Sequence, residues 1–290
     1  MYSNANELKD LCDRSGKKIW QVAIEVESEY NETTIDEIRQ KIKENIDIMR
    51  QACNKTLKKE IPSISGLTSG MAKKIFSYMG KDNAIFSKEI LKSVAYSLSC
   101  FEVNTSMGKI VAAPTAGSCG ILPGCLFMLA EKINAVDDDL INAFITAAAI
   151  GTIIEKNATL SGAEGGCQAE CGSASAMAAA AMTEMLGGSV EQCLHAGSMA
   201  ITNVMGQICD PIAGLVEIPC AKRNAIGVVN AILCADMALA GIECFVPFDE
   251  VIVAMYEVGK ALPATLRETG IGGLAGTPTG VAARRKIFGE

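Results

Sequence analysis

Long apolar segments, separated by Gly or Pro, fill the second half of this chain and limit the folds open to it. They are rich in Ala, Leu, Met and Ile, and each is longer than an ordinary strand. Aromatic residues make up only 5% of the chain, and runs of alternating β-branched and aromatic residues are almost absent, residues 22–26 being the best exception. We therefore predict an all-α fold, with helices near residues 121–135, 138–156, 172–187, 190–206, 224–243 and 249–260.

Charge is distributed unevenly along the chain. Of the first 110 residues 32 are charged, against 27 of the remaining 180. Charged side chains belong at the surface and small apolar ones in the interior. No repeat of fixed period and no Pro/Ser linker divides the chain. We therefore predict one domain over residues 1–290, in which a charged amphipathic helical part, residues 1–110, precedes an apolar Gly/Ala-rich body, residues 111–290.

One amphipathic helix is clear in the N-terminal part. Apolar side chains recur every three or four residues from Ile35 to Met49, which is the period of a helix with one buried face. Thr34 and Glu37 have the spacing of a capping box, in which each side chain accepts a hydrogen bond from a backbone N–H that the helix leaves unpaired. The pattern predicts a helix that begins directly after Thr34.

Charge and hydropathy exclude several classes of protein. A formal net charge of -7 and the lack of a basic stripe argue against nucleic-acid binding. A membrane span needs about 18 to 20 uninterrupted apolar residues, whereas the most hydrophobic segments, 140–154 and 227–248, contain Asn, Thr, Asp or Glu. The first residues show no apolar stretch with a cleavage site. We predict a cytoplasmic protein that binds neither nucleic acid nor a membrane.

The chain has 12 cysteines, which a reducing cytoplasm would leave as free thiols. Seven lie in or beside helical apolar patterns, where Cys is most often a small buried hydrophobe. The other five lie in Gly- and Pro-rich loops, and soft thiolates suit iron–sulfur clusters, zinc or Cu(I). Because tight C-x2-C pairs are absent, spacing alone leaves metal binding and simple burial equally open. These five are Cys119, Cys167, Cys171, Cys209 and Cys220.

Four polar loops interrupt the apolar helices, at residues 63–70, 113–120, 156–172 and 209–224. Hydroxyls and free N–H groups in the first two suit a carboxylate or phosphate, and they suit an ordinary helix cap equally well. The third gathers polar groups between nearly pure apolar flanks, where their burial is costly. The fourth is stiffened by two Pro and carries a cysteine near each end. These loops are where we expect the chemistry.

The loop sequences resemble one family closely. They are similar to the iron–sulfur-dependent L-serine dehydratases, and more specifically to the α subunit of the two-subunit form. The likeness covers essentially the whole chain, and four long motifs in the same order make it specific. The motifs are VAAPTAGSCG (111–120), KNATLSGAEGGCQAECG (156–172), CDPIAGLVEIPCAKRN (209–224) and LRETGIGGLAGTPTG (266–280).

The resemblance implies a 4Fe-4S cluster held by three cysteines, on which the helices' Gly-, Pro- and Cys-rich loops converge. Cys167, Cys209 and Cys220 match the family's cysteine motifs, whereas Cys119 and Cys171 lie outside them. Three thiolates leave one of four irons open to substrate, where it can act as a Lewis acid on the substrate hydroxyl. The implied reaction is the dehydration and deamination of L-serine to pyruvate and ammonia.

A partner is also implied. Single-chain relatives carry a second domain fused to this one, so the resemblance predicts a β subunit and a hetero-oligomer. Within this chain, polar loop positions are expected to bind the substrate through hydroxyl, amide and backbone N–H groups. These positions are Ser65, Gly66, Ser69, Thr115, Ala116, Gly117, Asn157, Ser161 and Asn224.

The general base is the least determined part of the prediction. Lys156 flanks a cysteine loop, where desolvation could lower the pKa of its amine, and Glu164 is the second candidate. Lys222, beside Cys220, has the same two interpretations as Lys156, a base or a surface charge. The only histidine, His195, lies in a helical pattern and is expected to be structural.

Three other functions compete with this interpretation. A pyridoxal phosphate enzyme performs the same dehydration, but residues 270–280 follow no strand and do not fit the G-x-G-x-x-G spacing. A cytosolic zinc protein or a redox iron–sulfur protein without dehydratase activity is the principal alternative. A non-catalytic subunit is the third. Acid-labile sulfide distinguishes an iron–sulfur cluster from zinc, and turnover distinguishes an enzyme from a subunit without catalysis.

Overall fold

The computed structural model describes residues 2–289, and in that range it is all helical. Its only β feature there is an isolated bridge between Cys209 and Arg267. The all-α prediction is confirmed. The thirteen α-helices within residues 2–289 are α1 Ala5–Ser15, α2 Ile19–Asn31, α3 Ile35–Lys55, α4 Met71–Tyr78, α5 Lys88–Thr105, α6 Ile121–Ile133, α7 Asp137–Asn157, α8 Gly162–Gly165, α9 Ser173–Met185, α10 Val190–Thr202, α11 Cys220–Leu239, α12 Phe248–Ala261 and α13 Pro278–Phe288.

Residues 22–26, the most strand-like run in the sequence, are helical. These residues lie inside α2, whose buried face is formed by Ile19, Val22 and Ala23, a three- and four-residue spacing. A short run of β-branched residues carries no strand information when its flanks continue a helical period. The capping box predicted before α3 is confirmed, since the Thr34 hydroxyl accepts from Glu37 N–H and Glu37 accepts from Thr34 N–H.

The centre of the molecule is α9, in which every residue from Ser173 to Glu184 is buried. It packs against α6, α7, α10 and α11. Its side chains are mainly Ala and Ser, so four helices can approach it closely without leaving voids. Hydroxyl groups on this helix donate hydrogen bonds to backbone carbonyls of the preceding turn; Thr183, for example, donates to Ala179 O at 2.8 Å. The small side chains of α9 thus explain how the surrounding helices pack tightly with few aromatic residues.

A hydrophobic core joins the N-terminal helices to this body, extending from Tyr2 to Met255. Within residues 2–289, one segment, Ala116–Ile133, has the length and hydropathy of a membrane span. It includes α6, and 72% of it is buried inside the protein. Burial by neighbouring helices accounts for its apolar sequence.

A buried carboxylate joins α9 to the start of α2. Glu184 accepts a hydrogen bond from Ile19 N–H at 2.7 Å and another from the Thr146 hydroxyl. It therefore satisfies an unpaired donor at the N-terminus of α2. Desolvation raises the pKa of Glu184, although these hydrogen bonds oppose the shift.

This environment predicts a pH-dependent effect of Glu184→Gln. A raised native pKa means that the folded chain binds the proton more tightly, so stability falls as pH rises above the usual glutamate value of about 4.3. Glutamine cannot lose a proton. We expect the melting temperature of Glu184→Gln, relative to wild type, to increase from pH 5 to pH 8. The exposed Glu191→Gln is the control for loss of one charge, and an equal trend in both variants would refute the assignment.

Candidate functional site

Three separate segments bring four cysteines together. Cys167 directly precedes a π-helical turn, Gln168–Gly172, that leads into α9, and Cys171 lies within that turn. Cys209 follows α10, and Cys220 is the first residue of α11. The sulfur atoms of Cys167 and Cys171 are 3.3 Å apart. All four thiols are buried, and Cys167 lies close enough to Cys209 and Cys220 for its charge to raise the pKa of both thiols. We call these residues the four-thiol group.

The π-helical turn is anchored by a buried amide. Gln168 donates to Gly165 O at 2.9 Å and to Met255 O at 3.0 Å, and its oxygen accepts from Gly206 N–H at 2.7 Å. Its own N–H donates to Gln207 O. The hydrogen bonds of Gln168 fix the backbone beside Cys167 and so fix the direction of its thiol. Turns of this π-helical kind are uncommon and occur often at functional sites.

The backbone of Cys209 is held by a segment near the C-terminus of the chain, residues 266–268. Its N–H donates to Leu266 O at 2.8 Å, and its carbonyl accepts from Glu268 N–H at 2.7 Å. These two bonds form the isolated bridge to Arg267. The C-terminal motif of residues 266–280 therefore contributes to the site by fixing one thiol, a role that its sequence alone does not reveal.

The thiols do not titrate alike. The hydrogen bond with Cys171 and the charge of Arg223 lower the pKa of Cys167, against desolvation. Desolvation and the negative charge of Glu170 raise the pKa of Cys209; for Cys220, desolvation and the charge of Cys167 do the same. Buried thiols held neutral in this way must release protons when a metal binds, so metal affinity is pH dependent.

Glu170 lies against the four-thiol group. It is buried, and it accepts a hydrogen bond from the Thr115 hydroxyl at 2.7 Å. Two glycines make room for it, because a Cβ at Gly162 would lie 2.5 Å from its Oε2 and 3.2 Å from Cys209 Sγ, and one at Gly117 would lie 3.0 Å from its Oε1. Desolvation raises the pKa of Glu170.

A cavity of about 380 Å³ opens beside Glu170 and Gly162. Its size is adequate for a small amino acid, since ligand sites commonly begin near about 300 Å³. Hydroxyls and carboxylates dominate its polar lining: Thr115, Glu155, Thr159, Ser161, Glu164, Glu170 and Glu268. The four carboxylates in this lining favour a cationic group such as a substrate ammonium.

The first polar loop, residues 63–70, does not line the 380 Å³ cavity. The Ser65 hydroxyl accepts from Leu67 N–H at 3.1 Å, and Gly66 occupies the left-handed region at φ 75°, so both residues shape the loop turn. Ser69 lines a separate cavity of about 170 Å³ together with Glu217 and Lys222. This cavity is also lined by Ala221, the neighbour of Cys220 in the chain.

The second loop is tied to α11 by a buried amide. Asn224 donates to Gly117 O at 2.6 Å and to Cys220 O at 3.0 Å, and it accepts from Gly120 N–H at 3.1 Å. Ala116 O is likewise occupied, by the Asn104 amide. Every polar atom of Asn224 thus has a partner in the chain, so this residue positions the loop rather than presenting a free group to a ligand.

The residues at the end of α7 hold the N-terminus. Lys156 Nζ donates to Tyr2 O at 3.0 Å and lies 5.6 Å from the Tyr2 ring centroid. The Asn157 amide donates to Ser3 O at 2.7 Å. Glu164, by contrast, lines the 380 Å³ cavity, where its carboxylate accepts from the Thr159 hydroxyl. His195 accepts a hydrogen bond from Cys244 N–H, which fits the structural role expected for it.

Three site residues were not predicted from the sequence: Glu170, Asp210 and Arg223. Glu170 is the one charged residue between Cys167 and Cys171, and that position was a usable signal. Asp210 follows Cys209, and Arg223 is three residues after Cys220. The Asp210 carboxylate is buried, the Arg223 side chain is partly buried, and the two groups lie 2.7 Å apart. No spacing rule predicts this contact across thirteen residues.

The donor set fits the cluster that the resemblance implies. Soft, buried thiols from three segments are the ligands that iron–sulfur clusters use, and the nearby Arg223 has a buried Nη1 atom without a hydrogen-bond partner. Among residues 2–289, no group of three or more His, Cys, Asp or Glu side chains is arranged to hold a single metal ion. Cys119, the remaining loop cysteine, is buried and is not part of the four-thiol group; its carbonyl lies 3.4 Å from Cys100 Sγ.

Comparison with known proteins identifies the family of this chain. The family profile described as Serine dehydratase alpha chain matches residues 14–275. The "L-serine dehydratase, alpha chain" of Peptoniphilus asaccharolyticus is 51% identical over 290 residues, which cover 100% of this chain and 99% of that protein. The "Probable L-serine dehydratase, alpha chain" of Bacillus subtilis is 47% identical over 289 residues, covering 100% and 96%. The "L-serine dehydratase" of Mycobacterium tuberculosis is 37% identical over 287 residues, covering 94% and 61%. The chain therefore belongs to the serine dehydratase alpha chain family.

Proposed function

We propose that this chain is the catalytic subunit of an L-serine dehydratase, which converts L-serine to pyruvate and ammonia. The observation that carries the proposal is the convergence of Cys167, Cys209 and Cys220, the three motif cysteines, beside a cavity of amino-acid size. Full-length similarity to relatives named for this activity supports it.

In this proposal Cys167, Cys209 and Cys220 hold a 4Fe-4S cluster, and Cys171 supports Cys167 from 3.3 Å. The cluster, when bound, supplies an iron without a protein ligand that polarises the substrate hydroxyl as a leaving group. The chain supplies a dry surrounding, because all four thiols are buried. It also supplies a cationic neighbour in Arg223, whose charge favours anionic sulfur.

The 380 Å³ cavity is the proposed substrate site. Of the predicted substrate-binding residues, Thr115 and Ser161 line this cavity and can orient the substrate through their hydroxyls. Glu268 and Glu155 give the wall the negative charge that attracts an ammonium group. Gly117 and Gly162 act indirectly, by leaving space for Glu170. Ser65, Gly66 and Ser69 belong to the first polar loop, of which Ser69 lines a separate cavity, and they stay predictions.

Loss of water requires a base for the Cα proton. Lys156 is engaged with Tyr2, so we assign the proton to a cavity carboxylate instead. Glu164 and Glu170 both line the cavity, but only Glu170 is buried beside the four-thiol group. Its Oε1 accepts from Thr115, and its Oε2 faces the space at Gly162. We propose Glu170 as the base and Glu164 as the alternative.

A β subunit is proposed as the partner. The match covers 61% of the Mycobacterium tuberculosis protein, so that relative has a further region that this chain does not match. The names of the Peptoniphilus and Bacillus relatives, as alpha chains, agree with a separate second chain. We place the assembly in the cytoplasm, where thiols stay reduced.

Pyruvate formation tests the proposed function directly. The chain, produced with its β partner and kept free of oxygen, should form pyruvate and ammonia from L-serine in equal amounts and should leave D-serine unchanged. Exposure to air should abolish activity, and ferrous iron with a reductant should restore it, because an iron without a protein ligand is readily lost. Absence of pyruvate from an iron-loaded complex, or full activity after prolonged aeration, would contradict the proposal.

A further inference from the structure

One ion pair inside the site differs from the surface pairs of this chain. Arg223 Nη2 lies 2.7 Å from Asp210 Oδ1, and the two side chains are only 14% and 3% exposed. The Arg14–Asp10 pair, for comparison, spans 3.6 Å with side chains 78% and 65% exposed. Burying two charges carries a desolvation cost that good hydrogen bonding must offset. The buried pair therefore needs a reason beyond stability.

The pair connects all three thiol-bearing segments. Asp210 directly follows Cys209, and Arg223 lies one helical turn after Cys220 in α11. The charge of the Arg223 guanidinium also acts on the Cys167 thiol, whose pKa it lowers.

Asp210 is fixed so that it can orient the arginine. Its Oδ1 binds Arg223, and its Oδ2 accepts from Leu274 N–H at 2.7 Å. The close approach depends on Gly273, where a Cβ would lie 2.4 Å from Asp210 Oδ2. A carboxylate with both oxygens engaged holds its partner in one direction, and a planar guanidinium transmits that direction to its remaining N–H groups.

The remaining donor is unused in the chain. Arg223 Nη1 is buried and has no hydrogen-bond partner. Buried unsatisfied donors are rare, and one beside four thiols points to a ligand that accepts hydrogen bonds there. Sulfur atoms of an anionic cluster are such acceptors, and hydrogen bonds to cluster sulfur are a recognised way to tune iron–sulfur sites.

We propose that Asp210 and Arg223 form a positioning pair that arranges Cys167, Cys209 and Cys220 before the cluster is assembled and then donates a hydrogen bond from Arg223 Nη1 to cluster sulfur. This inference rests on the proposed function, since it requires the cluster. Neither residue lines the 380 Å³ cavity proposed for the substrate, so their effect is on retention of the cluster rather than on the chemical step.

Iron release tests the pair without using activity. Wild type, Arg223→Met, Arg223→Lys and the double variant Asp210→Asn/Arg223→Met are prepared without oxygen. Iron and acid-labile sulfide are measured per chain, followed by the rate of iron loss to a chelator. The melting temperature of each iron-free chain reports folding, and Arg14→Met is the matched control for loss of an arginine from a surface pair.

Arg223→Met should release iron about 10- to 100-fold faster than wild type, the usual range for a residue that supports metal ligands. Arg223→Lys should fall between them, because a point charge cannot replace a planar fork. The double variant removes the unpaired buried carboxylate, so it should regain part of the melting temperature while its iron release stays fast. Arg14→Met should match wild type.

Other results overturn the proposal in distinguishable ways. Iron release that follows the melting temperature through all variants, including recovery in the double variant, would show a merely structural pair. Wild-type iron release in Arg223→Met would remove the role of the guanidinium. Absence of iron and sulfide from wild type itself would instead refute the proposed function, and the inference with it.

Discussion

Replacing any one of Cys167, Cys209 or Cys220 by alanine is expected to remove most of the iron and nearly all serine dehydration. The proposed cluster has only three thiolate ligands, and each of these substitutions would leave it with two. Lewis-acid activation of a leaving group is worth several kcal/mol, and each 1.36 kcal/mol is tenfold in rate, so activity should fall about 1000-fold or more. Iron and sulfide per chain and the rate of pyruvate formation are the measurements.

Two further cysteines serve as controls for this result. Cys193→Ala removes an equally buried thiol from α10, outside the four-thiol group, and should keep its iron. Cys171→Ala tests the closest neighbour, which the resemblance leaves outside the ligand set, and should also keep most of its iron. If Cys171→Ala loses iron as completely as Cys167→Ala, the cluster has a fourth protein ligand and the open-iron proposal is wrong.

Glu170→Gln is expected to lower kcat for L-serine by about 100- to 10,000-fold, the range for loss of a general base. Glutamine keeps the shape of the side chain and can still accept from the Thr115 hydroxyl, so KM and iron content should change little. The measurements are kcat, KM and iron per chain on the same preparation. An unchanged KM with a reduced kcat indicates a contribution to the chemical step rather than to binding.

Glu164→Gln is the matched control, because it changes a second carboxylate of the same cavity. It should retain kcat within about a factor of ten, well short of the loss expected for a general base. The reverse result, with Glu164→Gln inactive and Glu170→Gln active, would transfer the base to the residue predicted from the sequence. Loss of iron in Glu170→Gln would give that residue a role in holding the cluster.

The helices were predictable because their signals are local. Ala, Leu, Met and Ile runs bounded by Gly or Pro fixed the helical body, and the capping box located the start of α3. Boundaries were less exact: α10 ends at Thr202 and not near residue 206, and α11 begins earlier than predicted, at Cys220. The π-helical turn before α9 had no sequence signal, since its extra residue depends on tertiary anchoring by Gln168.

The site was predictable only in part. The choice of three cysteines among five came from the resemblance, because spacing contains no metal motif. The structure adds Cys171 to the same group and leaves Cys119 outside it. Contacts between distant segments, such as Thr115 with Glu170 or Arg223 with Asp210, depend on how helices pack and have no local pattern. Lys156 illustrates this, because its position beside a cysteine loop suggested a general base, whereas its amine donates a hydrogen bond to Tyr2 O.

Metal analysis of protein purified without oxygen tests the central claim most directly. Iron, zinc and acid-labile sulfide are measured together on the same sample, with protein determined by amino-acid analysis. The account predicts about four irons and about four sulfides per chain, as in a 4Fe-4S cluster. Zinc without sulfide would contradict it and would leave the four thiols as a zinc or structural site in a chain without the proposed chemistry.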